Sequence, residues 1–299
     1  MLPFFSTFIS GLDKVVERWL REDLEDMEVD SLLDGLVVFR TGTPSHQVGK
    51  TRFLNNSFIL ISRYKLEGVD SEKAVQLLLA DKNLGEKVAR LGAVKGGTFK
   101  LVVSFENRTV FVDHNSSVKL ERFISGRTGL KWLGVRGKRE FWLMTRSDGT
   151  ILFGLRITTL KKKTEKGELR LELANILGRL SDPLKTDVFL DPFCGSGAIF
   201  LERISSFPYK LAFAVDNDAQ RMGALEKKVS WTKEKAKIRV GNALDLTDIE
   251  TGSIDKIITD PPWGRFQAVE DGDEFYRRMM REFSRVLKPG GIAVILVAR

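Results

Sequence analysis

Beyond the charged run at residues 160–168 the chain alternates between short apolar runs and amphipathic stretches, and this alternation limits the possible fold more than any other feature. A helical pattern, "ELRLELANILGRLS", precedes "TDVFLD", a glycine-rich turn and the helical "GAIFLERISS". The strand patterns "KLAFAVD", "AKIRVG", "KIITD" and "GIAVILVA" follow, with helical stretches "AQRMGALEKKVSW" and "EFYRRMMREFSRVLK" between them. Apolar strands joined through helices form a parallel sheet covered on both faces, so the expected class is α/β. In such sheets ligands bind beyond the carboxyl ends of the strands, near the point where strand order reverses.

The residues at those strand ends are polar in a consistent way. "DVFLDPFCGSGAIFLE", residues 187–202, runs from a strand through Asp191-Pro192 and Gly195-Ser196-Gly197 into a helix. Glycines there permit a sharp turn and bring backbone N–H groups close to a ligand at the helix N-terminus. Asp191 at the strand tip suits a cation better than a pyrophosphate. The next strand ends in Asp216, which can accept ribose hydroxyls. The third ends in "VGNA", placing Asn242 where its side chain can bond an adenine amine.

Upstream the pattern is mixed. "MLPFFSTFIS" is apolar but short and lacks a basic leader, so it is expected to form a core strand or helix rather than an export signal. "GLDKVVERWLREDLEDM" is an amphipathic helix, and "GLVVFR" and "SFILISRYK" are strands. A capped helix "DSEKAVQLLLADKN", a strand "TFKLVVSF", a helix "SSVKLERFISGRTG" and a hairpin turning at Asp148-Gly149 complete an α+β region. The charged run "LKKKTEKGE", residues 160–168, marks the boundary with the α/β part, and its Lys161–Lys163 stretch is expected to be a solvated linker. Residues 1–60 carry 6 Lys and Arg against 9 Asp and Glu, residues 61–170 carry 23 against 12, and the rest is balanced at 19 each. A basic zone concentrated in this way suits a polyanion. Trp132 and Trp142 lie within it, and core packing is the expectation for both.

Several alternatives drop out. "PSHQVGKT" approaches a phosphate-binding loop, but its first glycine is replaced by Pro44 and the required helix is missing after it. The single cysteine, Cys194, excludes an intrachain disulfide and fits a reducing cytoplasm, the expected location. Its place inside the glycine loop points to packing. His46 and His114 are far apart, so no metal site is expected. No apolar run approaches the roughly 20 residues of a membrane span.

Taken in order, "KGELRLELA", "DPFCGSGAI", "AVDND", "GNA" and "DPPWG" resemble the S-adenosylmethionine-dependent methyltransferases with a Rossmann-like sheet. Among these the chain is similar to RNA methylases that carry a THUMP domain, including tRNA guanine-N2 methyltransferases. The resemblance implies three parts: an α+β, ferredoxin-like module over 1–60, a THUMP-like RNA-binding domain over 61–160, and a methyltransferase domain over 165–299. It implies that Asp191, Pro192, Gly195, Ser196 and Gly197 pack on the methionine part of the cofactor. Asp216 and Asn217 would lie at the ribose, Asn242 and Ala243 at the adenine, and Gly167 and Glu168 over the amino-acid end. Asn242 stands where aspartate is more common in the family. The implied partner is RNA, tRNA in particular.

The "DPPW" motif, residues 260–263, resembles the family's motif for methylating exocyclic amines. Such an amine is a poor nucleophile because its lone pair is delocalised into the ring. Asp260 and the Pro261 carbonyl can both accept hydrogen bonds from it, favouring a more tetrahedral nitrogen whose lone pair faces the methyl donor. Pro261 and Pro262 stiffen the turn, and Trp263 can stack on the base, a contact worth about 1–3 kcal/mol. Two other functions fit parts of this pattern: a DNA adenine-N6 methyltransferase, and a non-catalytic RNA-binding protein on a methyltransferase fold. The last strand pattern is the fifth of the sheet, whereas family members add a sixth and an antiparallel seventh; the expectation is either a fragment or a domain without that hairpin.

Overall fold

The computed structural model describes residues 1–89, 91, 97–106, 108–158, 168–232, 234–262 and 272–297. The chain divides into two compact units, Met1–Leu160 and Lys161–Arg299. The first contains β1 (Leu2–Thr7), α1 (Asp13–Asp23), β2 (Glu28–Leu33), β3 (Leu36–Thr41), α2 (Ser45–Val48) and β4 (Asn56–Lys65). It continues with α3 (Ser71–Ala80), α4 (Leu84–Ala89), β5 (Thr98–Phe105), β6 (Arg108–Thr109), α5 (His114–Thr128), β7 (Lys131–Trp132), β8 (Arg139–Thr145) and β9 (Thr150–Arg156).

One sheet runs through this unit in the order β2-β3-β1-β4-β9-β8-β5-β6, with β7 also paired to β5. The apolar N-terminus is a central strand: β1 lies antiparallel between β3 and β4, and Phe4 and Phe5 are fully buried. A division at residue 60 falls inside β4, which pairs with β1 and also with β9. The two modules expected over 1–60 and 61–160 therefore share one continuous sheet, because a single ten-residue strand serves both. Asp70 caps α3 by accepting from the Lys73 N–H, and Asp113 caps α5. Gly149, at φ +84°, closes the β8–β9 hairpin as its Asp-Gly pair predicts. The near-miss phosphate loop itself contains the single-turn α2, and β4 rather than a helix follows it, so the backbone expected of a nucleotide loop is absent there.

The second unit contains α6 (Leu171–Leu180), β10 (Val188–Asp191), α7 (Ala198–Ser206), β11 (Leu211–Asp216) and α8 (Ala219–Lys228). It ends with β12 (Ala236–Val240), β13 (Ile254–Thr259), α9 (Gly272–Val286) and β14 (Leu287–Ile295). The strands are parallel and ordered β12-β11-β10-β13-β14. Alternation along each strand feeds two cores, as the apolar runs require. Phe189 and Ile258 join α6, α7 and α8 on one face, and Leu190 and Ile257 join α9 on the other. Strand order reverses between β10 and β13, so the crevice for a ligand opens at their carboxyl ends.

The start of β10 is fixed by a buried ion pair. Arg203 of α7 is fully buried and donates to Asp187 at 2.8 Å and to the Pro208 carbonyl at 2.8 Å. Its guanidinium lies over the rings of Phe189 and Phe207. Arg203→Met should lower stability by about 3 kcal/mol, because it leaves the Asp187 carboxylate buried without its partner. Urea denaturation checks this: the midpoint should drop sharply in the single variant and recover in part in the Arg203→Met/Asp187→Asn double variant.

Candidate active site at the strand tips

Asp191 closes β10, is only 1% exposed, and has one carboxylate oxygen already in use. Oδ1 accepts from the Thr259 hydroxyl at 3.0 Å, whereas Oδ2 is buried and has no hydrogen-bond partner among the described residues. Burial pushes this carboxyl up to about 8; the Asp216 and Asp260 charges add to the rise, against the Thr259 hydrogen bond and the nearby Phe193 N–H. An unpaired acceptor at the switch point of the sheet is costly unless a ligand completes it. A cationic amino group does so, and the donor set fits the amino-acid end of S-adenosylmethionine.

The glycine loop after Asp191 is pinned from the neighbouring strands. The Cys194 N–H donates to the Val215 carbonyl at 3.0 Å, and the Gly195 N–H donates to Asp216 Oδ2 at 2.7 Å. Gly195 and Gly197 have φ of +54° and +89°, the left-handed region that glycine tolerates. A Cβ at Gly197 would also meet Leu225 Cδ1 at 2.5 Å. Asp216 Oδ1 accepts from the Asp218 N–H at 3.0 Å. Each oxygen of Asp216 therefore holds one backbone N–H and keeps a second lone pair. Ser196 donates to Glu168 at 3.4 Å, tying the segment before α6 to the loop. Cys194 is 5% exposed within the apolar core, and burial raises its thiol well above the usual value, as packing requires.

Of the other expected residues, Pro192 is buried at the same tip and Asn217 is exposed beside Asp216. Asn242 is exposed, but its Oδ1 accepts from the Leu244 N–H at 2.9 Å, so the acceptor is engaged in its own turn. Ala243 is buried. Asp260 is half-buried, and burial raises its carboxyl to about 6. Pro261 is buried and Pro262 partly so, directly after β13. Gly167 and Trp263 lie outside the described residues. Among the described residues no cluster of three or more His, Cys, Asp or Glu could hold a metal ion, and no helix is long and apolar enough to cross a membrane.

Four side chains escaped the sequence. Thr259 bridges the tips of β10 and β13, donating to Asp191 and accepting from the Phe193 N–H at 3.3 Å. Its only signal was a hydroxyl residue just before the "DPPW" motif. Phe193 packs against Phe275, and Tyr276 donates to the Pro262 carbonyl; nothing in the α9 sequence distinguished these from ordinary aromatic packing. Trp132 is a correction: it is 49% exposed rather than in the core, because β7 is a two-residue edge strand. Trp142 packs edge-on against Phe58 and donates to Glu140.

The fold and the acid-and-glycine strand tips define a Rossmann-like methyltransferase domain. Residues 159–299 match the family model described as UPF0020, RMKL-like, methyltransferase domain. The chain is 33% identical over 142 residues to tRNA (guanine(6)-N(2))-methyltransferase THUMP3 of Mus musculus, a match covering 43% of this chain and 28% of that protein's length. It is 30% identical over 133 residues to the probable tRNA (guanine(10)-N2)-dimethyltransferase of Methanothermococcus thermolithotrophicus, covering 43% of this chain and 80% of the relative. The crystal structure of TrmN from Thermus thermophilus aligns with a TM-score of 0.73 at 20% identity, over 100% of this chain and 90% of that one, which shows the fold. The chain belongs to this RMKL-like methyltransferase family.

The buried acid makes a sign-specific prediction for the ligand-free protein. The folded state holds the Asp191 proton up to about pH 8, whereas an unfolded aspartate loses it near about 4. The stability tied to that proton is fully present below about pH 4 and lost as pH rises towards 8. Asp191→Asn should flatten this decline and raise the ligand-free melting temperature at pH 8. It should also shrink the rise caused by added S-adenosylmethionine. Thermal melts from pH 5 to 8, with and without the cofactor, check both.

Proposed function

We propose that the chain is an RNA methyltransferase that transfers a methyl group from S-adenosylmethionine to an exocyclic base amine, with guanine N2 of tRNA as the target. The observation that carries this proposal is that Asp260 and Pro261 follow directly on Thr259, whose hydroxyl bonds to Asp191 at the adjoining strand tip. The amine acceptors and the cofactor acid are thereby held on neighbouring parallel strands, which lie about 4.8 Å apart.

Asp191, Pro192, Gly195, Ser196 and Gly197, with Gly167 and Glu168, would hold the amino-acid end of the cofactor. Asp216, with Asn217, would receive the ribose through its remaining lone pairs, and Asn242 with Ala243 would border the adenine. Bound there, S-adenosylmethionine supplies an electrophilic methyl on a sulfonium. Asp260 and the Pro261 carbonyl accept from the two N–H groups of the target amine and turn its lone pair out of the ring plane. As the nitrogen becomes alkylated its proton turns acidic, and Asp260 takes it up. Trp263 supplies a stacking face.

Support for RNA comes from the first unit. Lys119, Arg122, Arg127, Lys131, Arg136 and Lys138 are exposed on α5 and the segment after it, together with Trp132. Cations interleaved with an exposed aromatic suit a single-stranded polyanion with stackable bases. We assign this THUMP-like role to residues 61–160, beside an α+β module over 1–60. Relatives of the methyltransferase domain act on tRNA and on U6 snRNA guanine N2, by their names.

Single-turnover assays with saturating cofactor on total tRNA, with duplex DNA in parallel, test the proposal. Asp260→Ala should lose about a hundredfold or more in rate with cofactor affinity nearly unchanged. Asp260→Asn should retain more, because its carbonyl still accepts. In the wild type kcat/KM should fall as pH drops through about 6, where Asp260 takes up a proton and ceases to be a full acceptor, and this limb should be absent in Asp260→Asn. Near-wild-type turnover by Asp260→Ala, or transfer to duplex DNA alone, would contradict the proposal.

A further inference from the structure

We propose that Tyr276 is a positioning residue for methyl transfer: its hydroxyl holds the Pro262 carbonyl and thereby sets the orientation of the loop that presents Asp260 and the Pro261 carbonyl to the amine. This rests on the function proposed above. The Tyr276 hydroxyl donates to the Pro262 carbonyl oxygen at 3.0 Å. Proline lacks an N–H, so Pro261 and Pro262 offer no backbone donor by which neighbours could fix the turn. Carbonyls are the handles that remain. If Pro261 is to accept from substrate, the adjoining carbonyl is the one free to be anchored to the protein. Holding it limits rotation about Pro262.

The helix that carries Tyr276 is itself well placed to act as a brace. Met279, Phe283 and Val286 bury α9 against the sheet. One residue before Tyr276, Phe275 lies against Phe193 of the glycine loop with ring centroids 5.8 Å apart, and it meets the Tyr276 ring edge-on at 5.3 Å. Two turns further on, Glu282 accepts from the Leu246 N–H, and Arg285 donates to the carbonyls of Leu246 and Ile249. One helix therefore touches the loop after β10, the loop after β12 and the turn after β13. Of these contacts, the Tyr276 hydroxyl is the one aimed at the amine-binding turn.

Tyr276→Phe removes the hydroxyl and keeps the ring packing. Tyr209→Phe is the control, since that hydroxyl pairs with Thr232 at 3.0 Å, away from the strand tips. We expect Tyr276→Phe to melt like the wild type and to bind S-adenosylmethionine and RNA with unchanged affinity. Its single-turnover rate should fall about threefold to tenfold, the size of one neutral hydrogen bond expressed as a rate ratio. The 13C chemical shift of the Pro262 carbonyl provides a readout that needs no activity: it should move upfield in Tyr276→Phe, which removes its hydrogen bond, and not in Tyr209→Phe. An unchanged Pro262 carbonyl shift overturns the proposal whatever the activity. A wild-type transfer rate in Tyr276→Phe, with an active parent enzyme, overturns it as well. If the parent enzyme transfers no methyl group to RNA, the proposed function fails instead, and the carbonyl shift alone decides whether Tyr276 holds the turn.

Discussion

The hydrogen bond from Thr259 to Asp191 is the contact on which the rest of the strand-tip arrangement depends. It joins β10 to β13 at the point where the sheet reverses its order, and it does so between two buried side chains. A hydroxyl that donates to a carboxylate and accepts from the Phe193 N–H fixes three things together: the acid, the start of the glycine loop and the start of the Asp260 turn. The remaining Asp191 oxygen stays without a partner among the described residues. A fold that keeps such a carboxyl buried gives up stability in the ligand-free state as pH rises, and a bound cation recovers it by favouring the ionised form.

Around this contact the domain uses backbone groups more than side chains. The glycine loop hangs from the Val215 carbonyl and the Asp216 carboxylate, and the turn after β13 hangs from a proline carbonyl. Such anchoring suits a site that must hold a flexible, charged cofactor, because peptide groups reorganise little during the reaction. Helix α9 then links the loops to each other through Phe275, Tyr276, Glu282 and Arg285.

Much of this was legible in the sequence, for physical reasons that can be named. Short apolar runs separated by helices leave a parallel sheet as the main solution, and strand tips carrying Asp191, Asp216 and Asp260 advertise themselves because carboxylates seldom end buried strands without a use. The cap at Asp70 and the Asp148-Gly149 turn were local and therefore readable, whereas the Asp113 cap of α5 was not read. Long-range pairings were not: β4 serving two modules depends on partners at both its ends, and edge strand β2, charged and weakly alternating, gives no clear period. Thr259 and Tyr276 were hidden for a similar reason. Their roles come from what lies opposite them in space, and their residue types are common at strand ends and on amphipathic helices.

The central claim is that the strand-tip geometry orients an exocyclic amine. Identifying the methylated atom tests it most directly. RNA incubated with the protein and isotopically labelled S-adenosylmethionine would be digested to nucleosides and resolved by mass spectrometry against standards. The account predicts that the label appears in N2-methylguanosine. Label in a 2′-O-methyl nucleoside or on a ring carbon would contradict it, because neither target has an N–H for Asp260 and Pro261 to hold.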